Sequence, residues 1–457
     1  MSASTHAPTL PPPRARPTRS DAAPARRYEL DWLRTAAVFG LIPFHTAVIF
    51  TTGSFDYVKN AQTSAAVDVL TSFISIWGIP LLFLVAGGAS RFALATRSTG
   101  QYLNERVTRL LVPFTFGMLL IVPLQVYIGR LSSPTPPNFV TFYGDFLLSL
   151  VGIFPGHLLP GPEWIGHLWF IPPLMLFSAL ALPFAHLLRT GRGARAVDWL
   201  AGSVRGYATL ALFGAPLAMV QFFALESSRL FPTAPSLFIV NAIGVVAFLL
   251  FFLYGYLLYL DERFIASIRR DAGKALLLGS AVWLAMTFAI PGWQALNAAP
   301  PLAHVTLALL RGYSAWWWVM GALGMAIRYL HFTTPTVEYL TRAAYPVYII
   351  HMPILSLIAF WVVRLDMNLW LKFALIVIAS LVVSLAFYDL LIRRVGVLRL
   401  LFGLRAKKPR TEKPHARRPG ATTSHSGGSS HSAPSPHTRA ADDNRARWKK
   451  AWALPPC

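Results

Sequence analysis

The sequence has very little cysteine and few charged residues. Its 457 residues include a single cysteine, Cys457, at the C-terminus. One cysteine cannot form an internal disulfide, and at this position it is not expected to act as a nucleophile. Charged residues make up 13% of the chain, about half of the roughly 25% that is usual in soluble domains. This shortage excludes an ordinary soluble globular protein.

Acidic residues are the scarcer of the two charged classes, with 19 Asp and Glu against 41 Lys and Arg, for a net charge of +22. The excess lies mainly in the tails and loops, as the positive-inside rule and attraction to anionic lipid headgroups predict. No folded basic domain is visible, so no nucleic-acid partner is expected. The sequence also lacks a Walker A motif, a dinucleotide fingerprint, an HExxH motif and histidine pairs with zinc-site spacing. We therefore expect no bound metal and no permanently bound cofactor.

What the chain does contain is 55% hydrophobic residues, arranged in long runs. These runs predict an all-α polytopic membrane protein with about ten transmembrane helices. The predicted spans cover residues 30–51, 69–93, 107–129, 164–188, 206–226, 236–260, 274–294, 304–329, 343–363 and 370–393. They form a predicted transmembrane domain over residues 28–398, between a disordered basic N-terminal tail at 1–27 and a basic low-complexity C-terminal tail at 399–457.

Loop charges predict the orientation. Arginine and lysine concentrate in the loops after the second, fourth, sixth and eighth spans, which places both termini in the cytoplasm of a multi-pass protein of the cell (inner) membrane. The apolar run at 139–154 is too short to span comfortably. We expect it to be an interfacial or re-entrant helix on the outer face.

His45 is the strongest candidate for chemistry. It lies inside the first predicted span, eleven positions after Arg34. Eleven helical steps return to within about 20° of the same face, about 16 Å further along. Ionisable groups in hydrocarbon are costly and mark function by default, and an imidazole can take and return a proton near neutral pH. The alternative is a purely structural histidine that hydrogen-bonds to a neighbouring helix. The arginine on the same helix face favours the functional interpretation.

Four arginines are predicted at the cytoplasmic end of the bundle: Arg34, Arg91, Arg106 and Arg109. Snorkelling anchors are one interpretation. The other is a phosphate clamp, because a guanidinium matches phosphate oxygens with paired donors. Ser90 belongs to the same candidate set, although the small residues around it also suit close helix packing.

Further candidates lie elsewhere in the membrane domain. Glu163, His167 and Trp169 open the fourth predicted span on the outer side, where they suit either an interfacial belt or an acceptor site. Tyr348 and His351 lie in the ninth predicted span. They could hold neighbouring helices together by hydrogen bonds, or they could support the residues that react. Asp31 is three residues before Arg34, a spacing that predicts an ion pair.

Together these motifs resemble the acyltransferase-3 family of multi-pass membrane acyltransferases, in particular its glucan-modifying branch. The resemblance covers roughly residues 28–395 and rests on Arg34 with His45, Arg106 with Arg109, Leu30–Arg34, Gly166–Phe170 and Tyr345–His351. It implies transfer of an acyl group from acyl-CoA (acetyl-CoA or succinyl-CoA) to a hydroxyl of an envelope carbohydrate on the outer face. His45 would then be the general base, and Arg34, Arg106 and Arg109 would hold the coenzyme A phosphates. Direct and ping-pong transfer both remain open.

Two other classes fit the composition. Buried His and Arg in a helical bundle suit a transporter or exporter of a glycan or lipid-linked intermediate. A basic tail suits a non-catalytic scaffold. The sequence shows no internal two-fold repeat that would support a transporter, and the arginine cluster on one side favours the enzyme.

Overall fold

The computed structural model describes residues 26–53, 58–150, 165–204, 206–230, 236–289 and 301–404. All of them belong to the first of two units, 1–407 and 408–457. Glu163 and most of both predicted tails lie outside the described residues, so their roles stay predictions.

Within the described residues every regular element is a helix, which confirms the all-α class. The helices are α1 (Tyr28–Val48), α2 (Ala65–Thr96), α3 (Thr99–Arg130), α4 (Phe139–Leu150), α5 (Gly166–Arg189), α6 (Gly191–Ser203), α7 (Tyr207–Leu230), α8 (Ser236–Leu258), α9 (Glu262–Leu284, continued by a π turn over Ala285–Ala289), α10 (Pro301–Tyr329), α11 (Pro335–Val362), α12 (Leu369–Ile392) and α13 (Gly396–Leu401).

Each of the ten predicted spans overlaps one of these helices, but ten spans are not confirmed. Five helices are long and apolar enough to cross a membrane, namely α2, α3, α5, α11 and α12. The end of α8 and the start of α9 form a sixth candidate only if they count as one span, because they meet at a bend of 110°. The position of the termini relative to the membrane stays a prediction.

Helix α9 begins earlier than the predicted seventh span. The predicted span begins at residue 274, whereas the helix begins at Glu262. In its charged first half Asp261 accepts a hydrogen bond from the Arg263 backbone amide, and Phe264 and Ile268 are buried on one face. The short helix α4, 12 residues long, lies within the predicted interfacial segment 139–154, whose last residues fall outside the described part of the chain. Its position relative to the membrane stays a prediction.

Helix α3 contains two π turns, Val107–Leu111 and Gly117–Ile121. It begins with a capping box in which Ser98 and Gln101 satisfy each other's backbone amides. A π turn is wider than an α turn and is frequent at functional sites. Because the first π turn follows Arg106 directly, the angle between Arg106 and Arg109 differs from that in a regular α-helix.

Helices α2 and α8 cross at a pair of glycines. A Cβ atom on Gly87 would lie 1.8 Å from the carbonyl oxygen of Phe252, and one on Gly255 would lie 1.9 Å from that of Leu84. Such distances leave room for hydrogen alone, so these glycines permit direct backbone contact. The structure thus supports the packing interpretation for this part of the small-residue run.

Helices α1 and α11 lie side by side in matched register. The hydroxyl groups of Thr35 and Thr341 hydrogen-bond to each other at 2.9 Å. His45 and His351 each follow the bonded threonine of their own helix by ten residues. Equal helical rise therefore brings the two histidines to the same level, about 15 Å beyond the threonine pair.

Candidate active site

The structure brings three predicted histidines together. The ring centroids of His45 and His351 are 5.6 Å apart, and those of His351 and His167 are 5.2 Å apart. The three residues come from α1, α11 and the first turn of α5, so distant parts of the sequence meet at one place. No group of His, Cys, Asp or Glu in the described residues could hold a metal ion.

His167 serves to tie helices together. Its Nε2 lies 2.9 Å from the carbonyl oxygen of Ile349, and its Nδ1 lies 2.7 Å from the side-chain amide of Gln125. A carbonyl oxygen can only accept, so Nε2 carries a proton. With both ring nitrogens engaged and the residue 7% exposed, His167 links α3, α5 and α11.

Gly166 makes this arrangement possible. Its φ of +54° lies in the left-handed region, and a Cβ atom would lie 2.3 Å from the Gln125 amide nitrogen. Only glycine adopts this conformation freely. The turn before α5 therefore places His167 directly against Gln125.

His351 keeps one nitrogen without a partner. Its Nδ1 lies 2.7 Å from the Tyr348 carbonyl oxygen, which requires Nδ1 to donate. In the neutral ring Nε2 then carries the lone pair, and this atom is buried without a hydrogen-bond partner in the described part of the chain. Tyr348 itself donates its hydroxyl proton to the His167 carbonyl oxygen at 2.7 Å. The result is an unprotonated nitrogen in a ring whose centroid lies 5.6 Å from that of His45.

His45 is the member of the trio that reaches open space. It lines a cavity of about 340 Å³, within the range of roughly 300–1,000 Å³ that is usual for small-molecule sites. Neither of its ring nitrogens hydrogen-bonds to another described residue. The cavity is lined by Phe44, His45, Val48, Thr51, Gly53, Asp68, Thr71, Ser72 and Ser75. An imidazole with free nitrogens in such a cavity is suited to take a proton from a bound ligand.

Ser90 and Arg106 belong to one hydrogen-bonded group at the far end of α2. The Ser90 hydroxyl accepts from Arg106 Nη2 and from the Tyr102 hydroxyl, both at 3.0 Å, and donates to the Ala86 carbonyl oxygen at 2.9 Å. The Arg106 guanidinium also lies 5.0 Å from the centre of the Tyr102 ring. All hydrogen-bonding positions of the Ser90 hydroxyl are therefore occupied, and Ser90 serves to position Arg106.

The other predicted arginines have separate surroundings. Arg34 pairs with Asp31 at 3.4 Å, as their spacing predicted, and its side chain is 48% exposed. Arg91 follows Ser90 directly, and its Nε atom is buried without a hydrogen-bond partner among the described residues. Arg109 lies in the first π turn of α3, and its carbonyl oxygen is close to the backbone of Gly403. Whether all four converge on one ligand stays a prediction.

Some participants were not predicted from sequence. Arg189 donates to the Leu94 carbonyl oxygen at 2.9 Å, which brings another arginine to the end of α2. Asp68 lies one residue before the predicted second span, yet it lines the cavity. Trp169, predicted on the acceptor side, packs with its ring 5.8 Å from that of Phe248 and is absent from the cavity lining.

Comparison with known proteins gives one family. The acyltransferase-3 family model, described as an acyltransferase domain, matches residues 27–389. Curated relatives from Salmonella schwarzengrund and Salmonella agona, both named glucans biosynthesis protein C, are 20% identical over 333 residues, or 72% of this chain and 82% of theirs. No solved structure matches the chain with comparable significance. The family match includes the histidine trio and the Ser90–Arg106 group, and it shows that the chain belongs to the acyltransferase-3 family.

Proposed function

We propose that this membrane acyltransferase moves an acyl group from cytoplasmic acyl-CoA to a hydroxyl of an envelope carbohydrate on the outer face of the inner membrane. The supporting observation is the position of His45. It is open to a cavity on one side and adjacent to the buried His351 ring on the other. The names of the Salmonella relatives support a glucan as the acceptor. We propose acetyl-CoA or succinyl-CoA as the donor.

His45 would act as general base. It removes the proton of the acceptor hydroxyl as the oxygen attacks the thioester carbonyl carbon. The carbon–sulfur bond then breaks, and the coenzyme A thiolate takes the proton back from the imidazolium. General-base catalysis of this kind contributes about 10²–10⁴-fold. An acyl-enzyme formed before the sugar attacks is the alternative route.

His351 would support the charged form of His45. Its Nδ1 proton is held by the Tyr348 carbonyl oxygen, so Nε2 is unprotonated in the neutral ring, and it is buried without a hydrogen-bond partner among the described residues. A nearby lone pair stabilises an imidazolium that forms transiently on His45. His351 is therefore a positioning residue in this mechanism.

Arginines at the opposite end of α2 would bind the donor. Coenzyme A is a polyanion that stays in the cytoplasm, while its pantetheine arm is long, thin and uncharged. Arg106 is held by Ser90, and Arg91, the next residue after Ser90, has a buried Nε without a hydrogen-bond partner in the described part of the chain. We infer that these two bind coenzyme A phosphates, together with Arg34 and Arg109.

The test uses the purified full chain in lipid nanodiscs with radiolabelled succinyl-CoA or acetyl-CoA and a neutral glucan oligosaccharide. We expect label in the sugar and one free thiol released for each acyl group transferred. The corresponding thioester of dephospho-coenzyme A should bind more weakly, because it lacks one phosphate. A folded protein that binds neither thioester and releases no thiol would refute the proposal and favour the exporter.

Ser90→Ala offers a sharper test of the donor site. Arg106 and Tyr102 both lose their shared acceptor, so we expect affinity for acyl-CoA to fall about tenfold, in line with the loss of one charge-assisted hydrogen bond. The matched control is Ser178→Ala, because Ser178 is equally buried and bonds only the Leu174 carbonyl oxygen of its own helix. Equal loss in both variants would mean that Ser90 acts through helix stability alone.

A further inference from the structure

The cavity beside His45 lies between the end of α1 and the start of α2. The α2 residues that line it, Asp68, Thr71, Ser72 and Ser75, cover two turns of one helix. From Asp68 to Ser75 the helix rises about 10 Å. His45 comes from the facing helix. The cavity is therefore elongated enough to hold a ring-sized ligand beside the imidazole.

Its polar lining consists mostly of hydrogen-bond acceptors. Thr71 donates its hydroxyl proton to the Val67 carbonyl oxygen at 2.9 Å, and Ser75 donates to the Thr71 carbonyl oxygen at 2.7 Å. Both hydroxyl oxygens keep lone pairs, while their protons are already used within the helix. A ligand in this cavity meets accepting oxygen atoms at Thr71 and Ser75, while the Ser72 hydroxyl and the His45 ring can also donate.

Asp68 adds a negatively charged acceptor that is fixed in place. Its Oδ1 accepts from the Thr52 backbone amide at 2.9 Å, and its Oδ2 accepts from the Thr52 hydroxyl at 2.8 Å. Each carboxylate oxygen has a further lone-pair site. The carboxylate lies in the first turn of α2, where the helix dipole stabilises it. Among the described residues that line the cavity there is no Lys, no Arg and no second His.

A ligand complementary to this lining carries several O–H donors and no negative charge. A carboxylate or phosphate on the ligand would be repelled by Asp68. The nearby cation Lys59 already donates to the carbonyl oxygens of Val48 and Thr51 and to the Thr51 hydroxyl. Among small molecules, an uncharged sugar or other polyol has this pattern. An anionic sugar such as a uronic acid does not.

The geometry points to this cavity as the binding site for the acceptor of the transfer reaction, with an uncharged polyol ring held by Asp68, Thr71, Ser72 and Ser75 so that one hydroxyl reaches His45. The inference rests on the proposed function, since it takes His45 as the base. It differs from one of the two interpretations that the sequence left open, in which Glu163, His167 and Trp169 formed an acceptor site and not an interfacial belt. Of these, His167 and Trp169 are engaged elsewhere in the structure.

The experiment measures acyl transfer by the full chain in nanodiscs while the concentration of a neutral oligosaccharide is varied at saturating acyl-CoA. We expect Asp68→Asn to raise KM for the sugar about tenfold, since a hydrogen bond to a charged group is replaced by one to a neutral amide. Binding of acyl-CoA should not change. Wild type should use the neutral sugar in preference to a uronic-acid oligosaccharide, and Asp68→Asn should reduce that preference.

Thr52→Val is the control for a merely structural role of Asp68. It removes the hydroxyl bond to Oδ2 and leaves the cavity lining intact. An equal rise in KM with Thr52→Val would overturn the assignment. The rise in KM would then come from the lost hydrogen bond between Thr52 and Asp68, not from a lost contact with the sugar.

Ser72→Leu gives an independent test by filling the cavity with an apolar side chain. We expect it to abolish transfer to the sugar while acyl-CoA still binds. Normal transfer by Ser72→Leu, or unchanged sugar KM in both Asp68→Asn and Ser72→Leu, would refute the acceptor site. Absence of thiol release in the wild type would instead refute the proposed function itself, so the two failures are distinguishable.

Discussion

Transfer of the acyl group should fall by about 10²–10⁴ when His45 is replaced by alanine, the range expected for loss of a general base. Binding of acyl-CoA should stay near wild type, because the candidate phosphate ligands lie at the other end of the bundle. The measurement is the initial rate of label transfer at saturating donor and acceptor, normalised to folded protein. Imidazole added to the buffer should restore part of the rate, since the cavity beside residue 45 gives access to a small base.

The control is His186→Ala, which removes an exposed histidine from the same chain. It should leave the rate unchanged. A second variant, His45→Gln, keeps a polar side chain of similar size and should be as inactive as His45→Ala. If either His45 variant retains wild-type transfer at a normal protein level, the general-base mechanism is wrong.

Replacing Gly87 by alanine should destabilise the folded protein severely. The added methyl group would lie 1.8 Å from the Phe252 carbonyl oxygen, so α2 and α8 would have to separate by more than an ångström. Overpacking usually costs about 1–3 kcal/mol even when flexible side chains can yield, and here the obstacle is backbone. We expect a lower midpoint of thermal unfolding in detergent and a smaller yield of monodisperse protein.

Gly78→Ala is the matched control, since it makes the same change in the same helix. Its methyl group would meet only the Ile74 side chain, at 3.6 Å. Higher helix propensity should leave stability unchanged or slightly raised. Equal stability of the Gly87→Ala and Gly78→Ala proteins would contradict the close backbone contact between α2 and α8.

The sequence predicted the helical class and the approximate positions of the long helices well, because an apolar run of about 20 residues forms few structures other than a membrane-spanning helix. It was less successful with charged segments. The start of α9 carries several charges that suggested a loop, yet the segment is helical, with Asp261 as its N-cap and with Phe264 and Ile268 buried. Asp68 lay one residue outside the predicted second span, although an acidic residue is favourable in the first turn of a helix.

At the candidate site, sequence reasoning found residues whose chemistry is unusual for their surroundings. His45, His167 and His351 each interrupt an apolar run, and the structure brings all three together. Sequence reasoning could not assign different roles to the three histidines. His167 bonds Gln125, 42 residues away, and Ile349, 182 residues away. Contacts over such distances depend on tertiary packing, for which one sequence offers no pattern.

Helix α2 carries both ends of the proposed reaction. Asp68 and Ser72 line the cavity near its start, and Ser90 holds Arg106 near its end. From Asp68 to Ser90 the helix rises about 33 Å, close to the thickness of a bilayer core of roughly 30 Å. On this proposal, substitutions near Asp68 should change which alcohol is modified without altering how the thioester is recognised. A change of acceptor would then need only a few substitutions at the start of α2, while the donor site near its other end stays the same.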